Sequence, residues 1–234
     1  MNNKGKLYLI PNLIAETEIN QIIPLSIQKL VLDIKYYIVE NTREARRYLK
    51  KLNPQIVVQD LIFYELDKHS NNQDIESFLT ECNKGNDTAL MSDAGLPCIA
   101  DPGNNVVKMA HKNGIRIIPC AGASSIFMAL MASGLNGQNF AFNGYLPIDQ
   151  KEKINKLKIL EKKSSKENQS QIFMDTPYRN NKLLEDIISS LNPDTYLCIA
   201  SNISGDDEFI NTKQICEWQK IKINLNKKPC IFII

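Results

Sequence analysis

The sequence predicts an α/β protein with a Rossmann-like parallel sheet followed by a second, mixed α/β domain. Short apolar segments alternate with segments of helical periodicity over residues 7–118 of the 234-residue chain, and this alternation is typical of parallel strands joined by crossover helices. Turn-forming residues separate the segments, most densely at residues 91–103 (MSDAGLPCIADPG). The alternation changes after Cys120, so we expect an N-terminal domain at residues 1–118 and a C-terminal domain at residues 119–234.

The first four elements follow from apolar runs and capping signals. Residues 7–10 (LYLI) form a short apolar run that a proline closes, which favours a buried first strand. Residues 24–32 begin with proline and predict a helix. The aromatic and β-branched residues 35–39 predict a second strand. Asn41, with a glutamate three residues later, has the pattern of a capping box and opens a predicted helix that extends to residue 52.

The next elements carry the chain through the turn-rich segment. Residues 55–58 predict a strand, and residues 74–84 predict a helix that ends before a glycine. Residues 88–91 predict a buried strand that leads into the turns. Asp101 precedes a proline, so we expect it to be the N-cap of a helix that ends at a glycine. Residues 115–118 predict the last strand of the first domain.

The second domain has a less regular order of predicted elements. Residues 126–131 predict a helix that ends at Gly134, and a lysine-rich helix at residues 151–163 is followed by a predicted solvated loop at residues 164–170. The remaining predictions are strands at residues 140–145, 171–175, 195–200 and 230–234, and a helix at residues 178–191.

Composition limits the classes of function. Lys and Arg number 28 against 26 Asp and Glu, for a formal net charge of +2, so contact with nucleic acid would need a local basic patch. The six cysteines include no CxxC pair, which argues against a zinc site and suits the reducing cytosol. No apolar run approaches the roughly 20 residues that a membrane span needs. We therefore expect a cytoplasmic protein without a metal and without membrane contact.

The loop at residues 92–97 (SDAGLP) is the strongest candidate for a site. It follows a predicted buried strand, and ligands of open α/β sheets bind at the carboxyl ends of the strands. Gly95 lets a ligand approach the backbone, and the carboxylate of Asp93 can accept hydrogen bonds from hydroxyl or amino groups. The same residues are also common turn formers, with Asp93 in an Asx-turn, so the spacing alone leaves both interpretations open.

Six ordered motifs resemble a known family. They are LYLIP at residues 7–11, ENTR at 40–43, SDAGLP at 92–97 with DPG at 101–103, GIRIIP at 114–119, FNGYLP at 142–147 and FMDTPYR at 173–179. Together they resemble the tetrapyrrole methylase superfamily, and within it the branch that contains the small-subunit ribosomal RNA (cytidine 2′-O-ribose) methyltransferases. The resemblance implies a two-domain fold that binds S-adenosylmethionine between its domains, and a homodimer.

The resemblance also implies site residues. Those carried over for the methyl donor are Pro11, Ile14, Asp93, Ala94, Gly95, Leu96, Ser125, Ile126 and Met174. For Ile126 and Met174, plain core packing is an equal alternative. Those carried over for the acceptor are Asn41, Arg43 and Arg179. The helix at residues 41–52 also carries Arg43, Arg46, Arg47, Lys50 and Lys51, which form either a solvated face or a phosphate-binding patch. Neither His69 nor His111 is a strong candidate for catalysis, and no general base is assigned.

The chain departs from the family pattern in three turns. Residues 11–16 (PNLIAE) lack the glycine of the family's Pro-Thr-Pro-Ile-Gly-Asn, and residues 121–125 (AGASS) replace Pro-Gly-Pro-Ser. Residues 201–205 (SNISG) replace an expected Glu-Leu-Thr-Lys. The expected function is methyl transfer from S-adenosylmethionine to a ribosomal RNA ribose hydroxyl. A tetrapyrrole methyltransferase and a non-catalytic module that binds S-adenosylmethionine are the alternatives.

Overall fold

The computed structural model describes residues 4–66, 70 and 72–234. The chain forms two compact units, and the second begins at Ser125. The boundary expected from the sequence lies a few residues earlier, after residue 118. Each unit contains its own five-stranded sheet among the described residues. His69 lies outside those residues. In the described part of the chain, no helix is both long enough and apolar enough to cross a membrane.

The first unit is built on a parallel sheet. Its strands are β1 (Lys6–Leu9), β2 (Tyr36–Val39), β3 (Ile62–Glu65), β4 (Thr88–Met91) and β5 (Arg116–Pro119). Its helices are α1 (Ile19–Ile22), α2 (Leu25–Leu30), α3 (Thr42–Leu52), α4 (Asn72–Phe78), α5 (Thr80–Asn83) and α6 (Asn104–Lys112). The strand order is β3-β2-β4-β1-β5, and every pair is parallel.

Helices cover both faces of this sheet. Ala89 and Met91 of β4 share a core with residues of α1, α2 and α3, whereas Leu90 shares a second core with residues of α4 and α6. The connection from β1 to β2 therefore packs on one face, and the connection from β4 to β5 packs on the other. Because β1 and β4 are neighbours, their connections diverge at this point of the sheet. Open α/β sheets bind ligands at such switch points.

Two predictions in the first unit are wrong. Residues 55–58 are not a strand, because the N–H of Ile56 bonds to the carbonyl oxygen of Asn53 in the turn that ends α3. Val58–Asp60 then forms a 3-10 turn, and the next apolar run pairs with β2 as β3. Asp101 is not a helix N-cap. Gly103 holds that position at φ 132°, two residues farther along the chain.

The second unit is a mixed α/β unit, as the sequence predicted, and its sheet contains both parallel and antiparallel pairs. Its strands are β6 (Phe140–Tyr145), β7 (Ser170–Met174), β8 (Tyr196–Ser201), β9 (Phe209–Gln214) and β10 (Cys230–Ile233). Its helices are α7 (Ser125–Ser133), α8 (Gln150–Glu167), α9 (Asn180–Ser190) and α10 (Ile215–Trp218), with a 3-10 turn at Pro177–Arg179. The strand order is β6-β7-β10-β8-β9. The β6–β7 pair is parallel, and the other pairs are antiparallel.

The prediction of a loop at residues 164–170 is wrong for most of these residues. Helix α8 continues to Glu167, because its polar residues lie on an exposed face and need no core. Asn168 then ends the helix in the left-handed conformation (φ 47°), which asparagine tolerates better than most residues. Strand β7 begins only two residues later, at Ser170.

Candidate functional site

Three loops meet at the carboxyl edge of the parallel sheet. The loop after β1 lies against both of the others. The N–H of Ile10 bonds to the carbonyl oxygen of Leu90 at 2.9 Å, and the N–H of Cys120 bonds to the carbonyl oxygen of Leu9 at 3.0 Å. Farther out, the N–H of Asn12 bonds to the carbonyl oxygen of Gly95 at 2.8 Å. The loops therefore continue the hydrogen bonding of the sheet beyond its strands.

Asn12 is the side chain that fastens the loop after β4. Its side-chain amide is buried and donates to the carbonyl oxygens of Ser92 at 3.1 Å and of Asp93 at 3.0 Å. Its amide oxygen accepts from the N–H of Leu13 at 2.7 Å. Asn12 lies within the run Pro11 to Ile14, which the family resemblance places along the cleft, but the sequence assigned no role to its side chain.

Two glycines allow the loops to touch. A Cβ added at Gly122 would lie 2.2 Å from the Cβ of Pro11, so only glycine fits there. Gly95 has φ +65°, and a Cβ on it would lie 3.3 Å from the Cγ2 of Ile14. The same Cβ at Gly122 would lie 3.5 Å from Leu96. The structure thus brings together Pro11, Ile14, Gly95 and Leu96, four of the residues predicted for the donor.

Several carboxylates lie near one another at this edge of the sheet. Asp93 is exposed, and its N–H donates to the Oε1 of Glu40 at 3.2 Å. Partial burial and, to a lesser degree, repulsion from Glu44 raise the pKa of the Asp93 carboxyl. Partial burial and repulsion from Asp93 raise the pKa of Asp101, although a hydrogen bond from Ser92 opposes the shift. The carboxylates repel one another, so a cationic or hydrogen-bond-donating ligand would stabilise their ionised forms.

A cavity of about 250 Å³ opens beside Asp93. The loop after β1, helix α3 and Asp93 line it, through Asn12, Leu13, Ile14, Ala15, Glu16, Glu44, Arg47, Tyr48, Lys51 and Asp93. The hydroxyl of Tyr48 donates to the carbonyl oxygen of Pro11 at 2.8 Å, which fixes the wall between α3 and the loop. The sequence analysis missed the contribution of Tyr48, because its position on the apolar face of α3 indicates only core packing.

The predicted acceptor residues on α3 differ in their contacts. The side chain of Asn41 is the N-cap, as predicted, and accepts from the N–H groups of Arg43 at 2.9 Å and Glu44 at 3.2 Å. The side chain of Arg43 is exposed and makes no hydrogen bond or ion pair with the described residues. Contact of Asn41 or Arg43 with an acceptor stays a prediction.

The other predicted residues lie in the second unit. Ser125 and the buried Ile126 begin α7, and Met174 ends β7. Arg179 donates from Nε to the Oδ1 of Asp175 at 2.7 Å, and Asp175 is buried. This hydrogen bond and ion pair raise the pKa of the Arg179 guanidinium. Arg179 thus neutralises a buried carboxylate, and its contact with an acceptor, like the donor contacts of the other three, stays a prediction.

Metal binding finds no support in the residues that the structure covers, where no group of three or more His, Cys, Asp or Glu side chains could hold an ion. All six cysteines are free thiols.

Solved structures share this fold. Diphthine synthase superimposes with a TM-score of 0.69 at 13% identity, covering 98% of this chain and 89% of that one. The methyltransferase CobJ gives 0.62 at 11% identity, covering 98% and 93%. The uroporphyrin-III-C-methyltransferase of Thermus thermophilus gives 0.55 at 14% identity, covering 98% and 94%. The fold is that of the two-domain tetrapyrrole methylases, which confirms the predicted fold class.

Curated relatives narrow the class further, although no family model matches the chain. The ribosomal RNA small subunit methyltransferase I of Buchnera aphidicola subsp. Schizaphis graminum is 30% identical over 100% of this chain and 79% of its own length. The protein of that name from Escherichia coli O157:H7 is 28% identical over 100% and 78%. The one from Haemophilus influenzae is 31% identical over 74% and 60%. This chain belongs to the ribosomal RNA small subunit methyltransferase I family, as its motifs predicted.

Proposed function

We propose that this methyltransferase transfers the methyl group of S-adenosylmethionine to a ribose 2′-hydroxyl of small-subunit ribosomal RNA. One observation carries the proposal beyond family membership: the Asp93–Gly95 loop is fastened at the switch point by Asn12, with the carboxylate of Asp93 exposed. The loop therefore presents a hydrogen-bond acceptor and a close backbone at the place where sheets of this kind bind ligands.

The residues present fit the methyl donor. S-adenosylmethionine carries a sulfonium, an ammonium group and ribose hydroxyls, and it supplies an electrophilic methyl group. Asp93 would accept hydrogen bonds from its hydroxyl or amino groups, and the nearby Glu44 and Asp101 would favour its positive charges. The exposed Ala94 has a small side chain that leaves room for close approach to the backbone.

Methyl transfer to a hydroxyl also requires positioning and removal of a proton. The loop after β4 supplies positioning through Asp93 and Gly95, and the sequence assigns no general base.

The test is methyl transfer to isolated small ribosomal subunits from a strain that lacks this gene. With isotopically labelled S-adenosylmethionine, we expect label in the RNA, and nuclease digestion with mass spectrometry should locate it in a 2′-O-methylated nucleoside. Asp93→Ala should abolish transfer. The matched control is His111→Ala, an exposed change on α6 of the same unit. If the RNA stays unlabelled and the enzyme methylates a tetrapyrrole, then the acceptor is the tetrapyrrole and not the RNA.

A non-catalytic role in donor binding is the second candidate, and one observation favours it. Residues 201–205 lack the acid and the lysine of the family element, and Asn202 and Ser204 in this loop are left-handed at φ 49° and 67°. Calorimetry that detects S-adenosylhomocysteine binding, together with no transfer to RNA or tetrapyrrole, would favour this role.

Assembly and location follow from the same family resemblance. We propose a homodimer in the cytoplasm. Light scattering coupled to gel filtration should give twice the mass of the chain, and cell fractionation should recover the protein with the cytoplasm.

A further inference from the structure

We infer that one face of α3 binds the phosphate backbone of the RNA, through Arg43, Arg47 and Lys51. This inference rests on the proposed function and names the surface that holds its acceptor. The three residues are four positions apart, so they lie along one face of the helix. At 1.5 Å of rise per residue, they form a row about 12 Å long, which is long enough to meet more than one phosphate.

The other two basic residues of α3 are used in packing. The guanidinium of Arg46 lies over the ring of Phe63, 5.2 Å from its centroid. The ammonium of Lys50 donates to the carbonyl oxygens of Pro54 at 2.7 Å and of Ile56 at 3.1 Å. These contacts stabilise the turn after α3 and the side of the sheet next to it. Two of the five cations of α3, Arg46 and Lys50, therefore have structural contacts. The other three form the separate row described above.

The cations of that row are available to a ligand. Arg43 has no side-chain partner in the described ranges. Arg47 pairs with Glu44 at 3.2 Å, with the two side chains 76% and 40% exposed. Lys51 pairs with Glu16 at 2.9 Å, with exposures of 39% and 94%. Such exposed pairs are weak, so a phosphate, which takes bidentate hydrogen bonds from arginine, can replace the carboxylates.

The row leads to the candidate site. Arg47 and Lys51 line the same cavity as Asp93. The α3 wall of this cavity carries two cations that suit phosphate and one carboxylate, Glu44, which pairs with Arg47. The loop after β4 carries the carboxylate of Asp93, which repels phosphate. An RNA strand with its phosphates on α3 would therefore present its sugars, and not its phosphates, to the Asp93 loop.

A matched pair of triple variants tests the inference. Arg43→Gln/Arg47→Gln/Lys51→Gln removes the row. Lys158→Gln/Lys162→Gln/Lys166→Gln removes three exposed lysines at the same spacing on α8, where they make no ion pair with described residues. The net charge changes equally. The probe is a fluorescein-labelled single-stranded RNA, whose affinity is measured over a series of KCl concentrations.

We expect the α3 variant to reduce the slope of log affinity against log salt by about 2, because each phosphate contact on a single strand contributes about 0.7. The α8 variant should keep the slope of the wild type. Equal losses in both variants, or no loss in either, would overturn the inference. Arg43→Gln alone, which removes no contact within the described structure, should lower the slope by about 0.7 and covers the case in which the triple variant fails to fold.

Calorimetry with S-adenosylhomocysteine and the transfer assay separate this inference from the proposed function. If the wild type transfers no methyl group to RNA while only the α3 variant shows a smaller slope of log affinity against log salt, the phosphate-binding surface is supported and the proposed RNA acceptor is refuted. If the wild type methylates RNA and the two triple variants bind RNA alike, the acceptor stands and the surface is wrong.

Discussion

The side-chain amide of Asn12 donates to the carbonyl oxygen of Asp93 at 3.0 Å. These residues are 81 positions apart in the chain, so the bond joins the loop after β1 to the loop after β4. The backbone of Asp93, whose carboxylate is the best candidate for donor binding, is thus held in place by an amide from the loop after a different strand.

Replacement of Asn12 should disturb both stability and donor binding. Asn12→Ala removes two donated hydrogen bonds and leaves the carbonyl oxygen of Ser92 buried without this partner. We expect a loss of about 2 kcal/mol in the free energy of unfolding and donor affinity lower by about tenfold, which corresponds to about 1.4 kcal/mol. Urea unfolding and calorimetry with S-adenosylhomocysteine measure the two effects. Asn105→Ala, an exposed change on α6, should affect neither, and an Asn12→Ala variant that binds normally would refute the role of this amide.

Gly95 and Gly114 offer a comparison between a site glycine and a plain turn glycine. Both are left-handed, at φ +65° and +61°, but only a Cβ at Gly95 would meet a neighbour, Ile14. Alanine at either position should cost about 1–2 kcal/mol of stability because of the left-handed backbone. Only Gly95→Ala should also weaken binding of S-adenosylhomocysteine in calorimetry. Equal binding by the two variants would show that Gly95 serves the turn alone.

The carboxyl of Asp101 should make the protein less stable as the pH rises. Its pKa is raised above the ordinary 3.8, so the folded state binds this proton more tightly than the unfolded chain does. Stability therefore decreases as the pH rises from about that ordinary value through the raised pKa. Asp101→Asn removes this effect and should raise the free energy of unfolding at neutral pH by an amount on the order of 0.5 kcal/mol after allowance for solvent screening.

Urea unfolding over a pH series checks the Asp101 prediction. The difference from the wild type should disappear in acid, where the carboxyl is protonated in both states. Asp206→Asn, which removes an exposed carboxylate of the second unit, is the control. A variant that is less stable than the wild type at neutral pH would mean that the bond from Ser92 outweighs the burial of Asp101.

Arg179 should contribute to stability through Asp175. Its Nε donates to the Oδ1 of a carboxylate that is only 4% exposed, and no described group bonds to the Oδ2 of Asp175. Arg179→Ala should therefore lower the free energy of unfolding by about 2 kcal/mol. Arg43→Ala, which removes an exposed arginine without a partner among the described residues, should change it by less than about 0.5 kcal/mol. Similar stability of the two variants in urea would contradict the structural role of Arg179.

Local signals made much of the fold predictable. Asn41 and Glu44 marked the start of α3, and the buried run at residues 88–91 became β4. Asp101 misled the analysis because its local pattern suits an N-cap, while the actual start of α6 depends on Gly103 and on left-handed residues Cys98 and Ala100. The strand predicted at residues 55–58 failed for a tertiary reason, since β2 pairs with the following run instead.

The candidate site was predictable only in part. Asp93 and Gly95 stood out because they follow a buried strand, and the structure places them at the switch point. The part of Asn12 could not be inferred, because its partners are about eighty residues away in the chain. The pairing of Arg179 with Asp175, by contrast, was within reach of the sequence, because the two are four residues apart and flank the turn after β7.

The backbone bond between Asn12 and Gly95 has a consequence for the kinetics of ligand capture. A loop tied to its neighbouring loop by a main-chain bond is already ordered in the ligand-free protein, so the amide proton of Asn12 should resist exchange with deuterium about as well as those of β4. Because the loops after β1 and β4 are preorganised, they would lose little entropy when a ligand binds. These loops would then keep the same conformation with and without the ligand, and any closing motion would involve other segments.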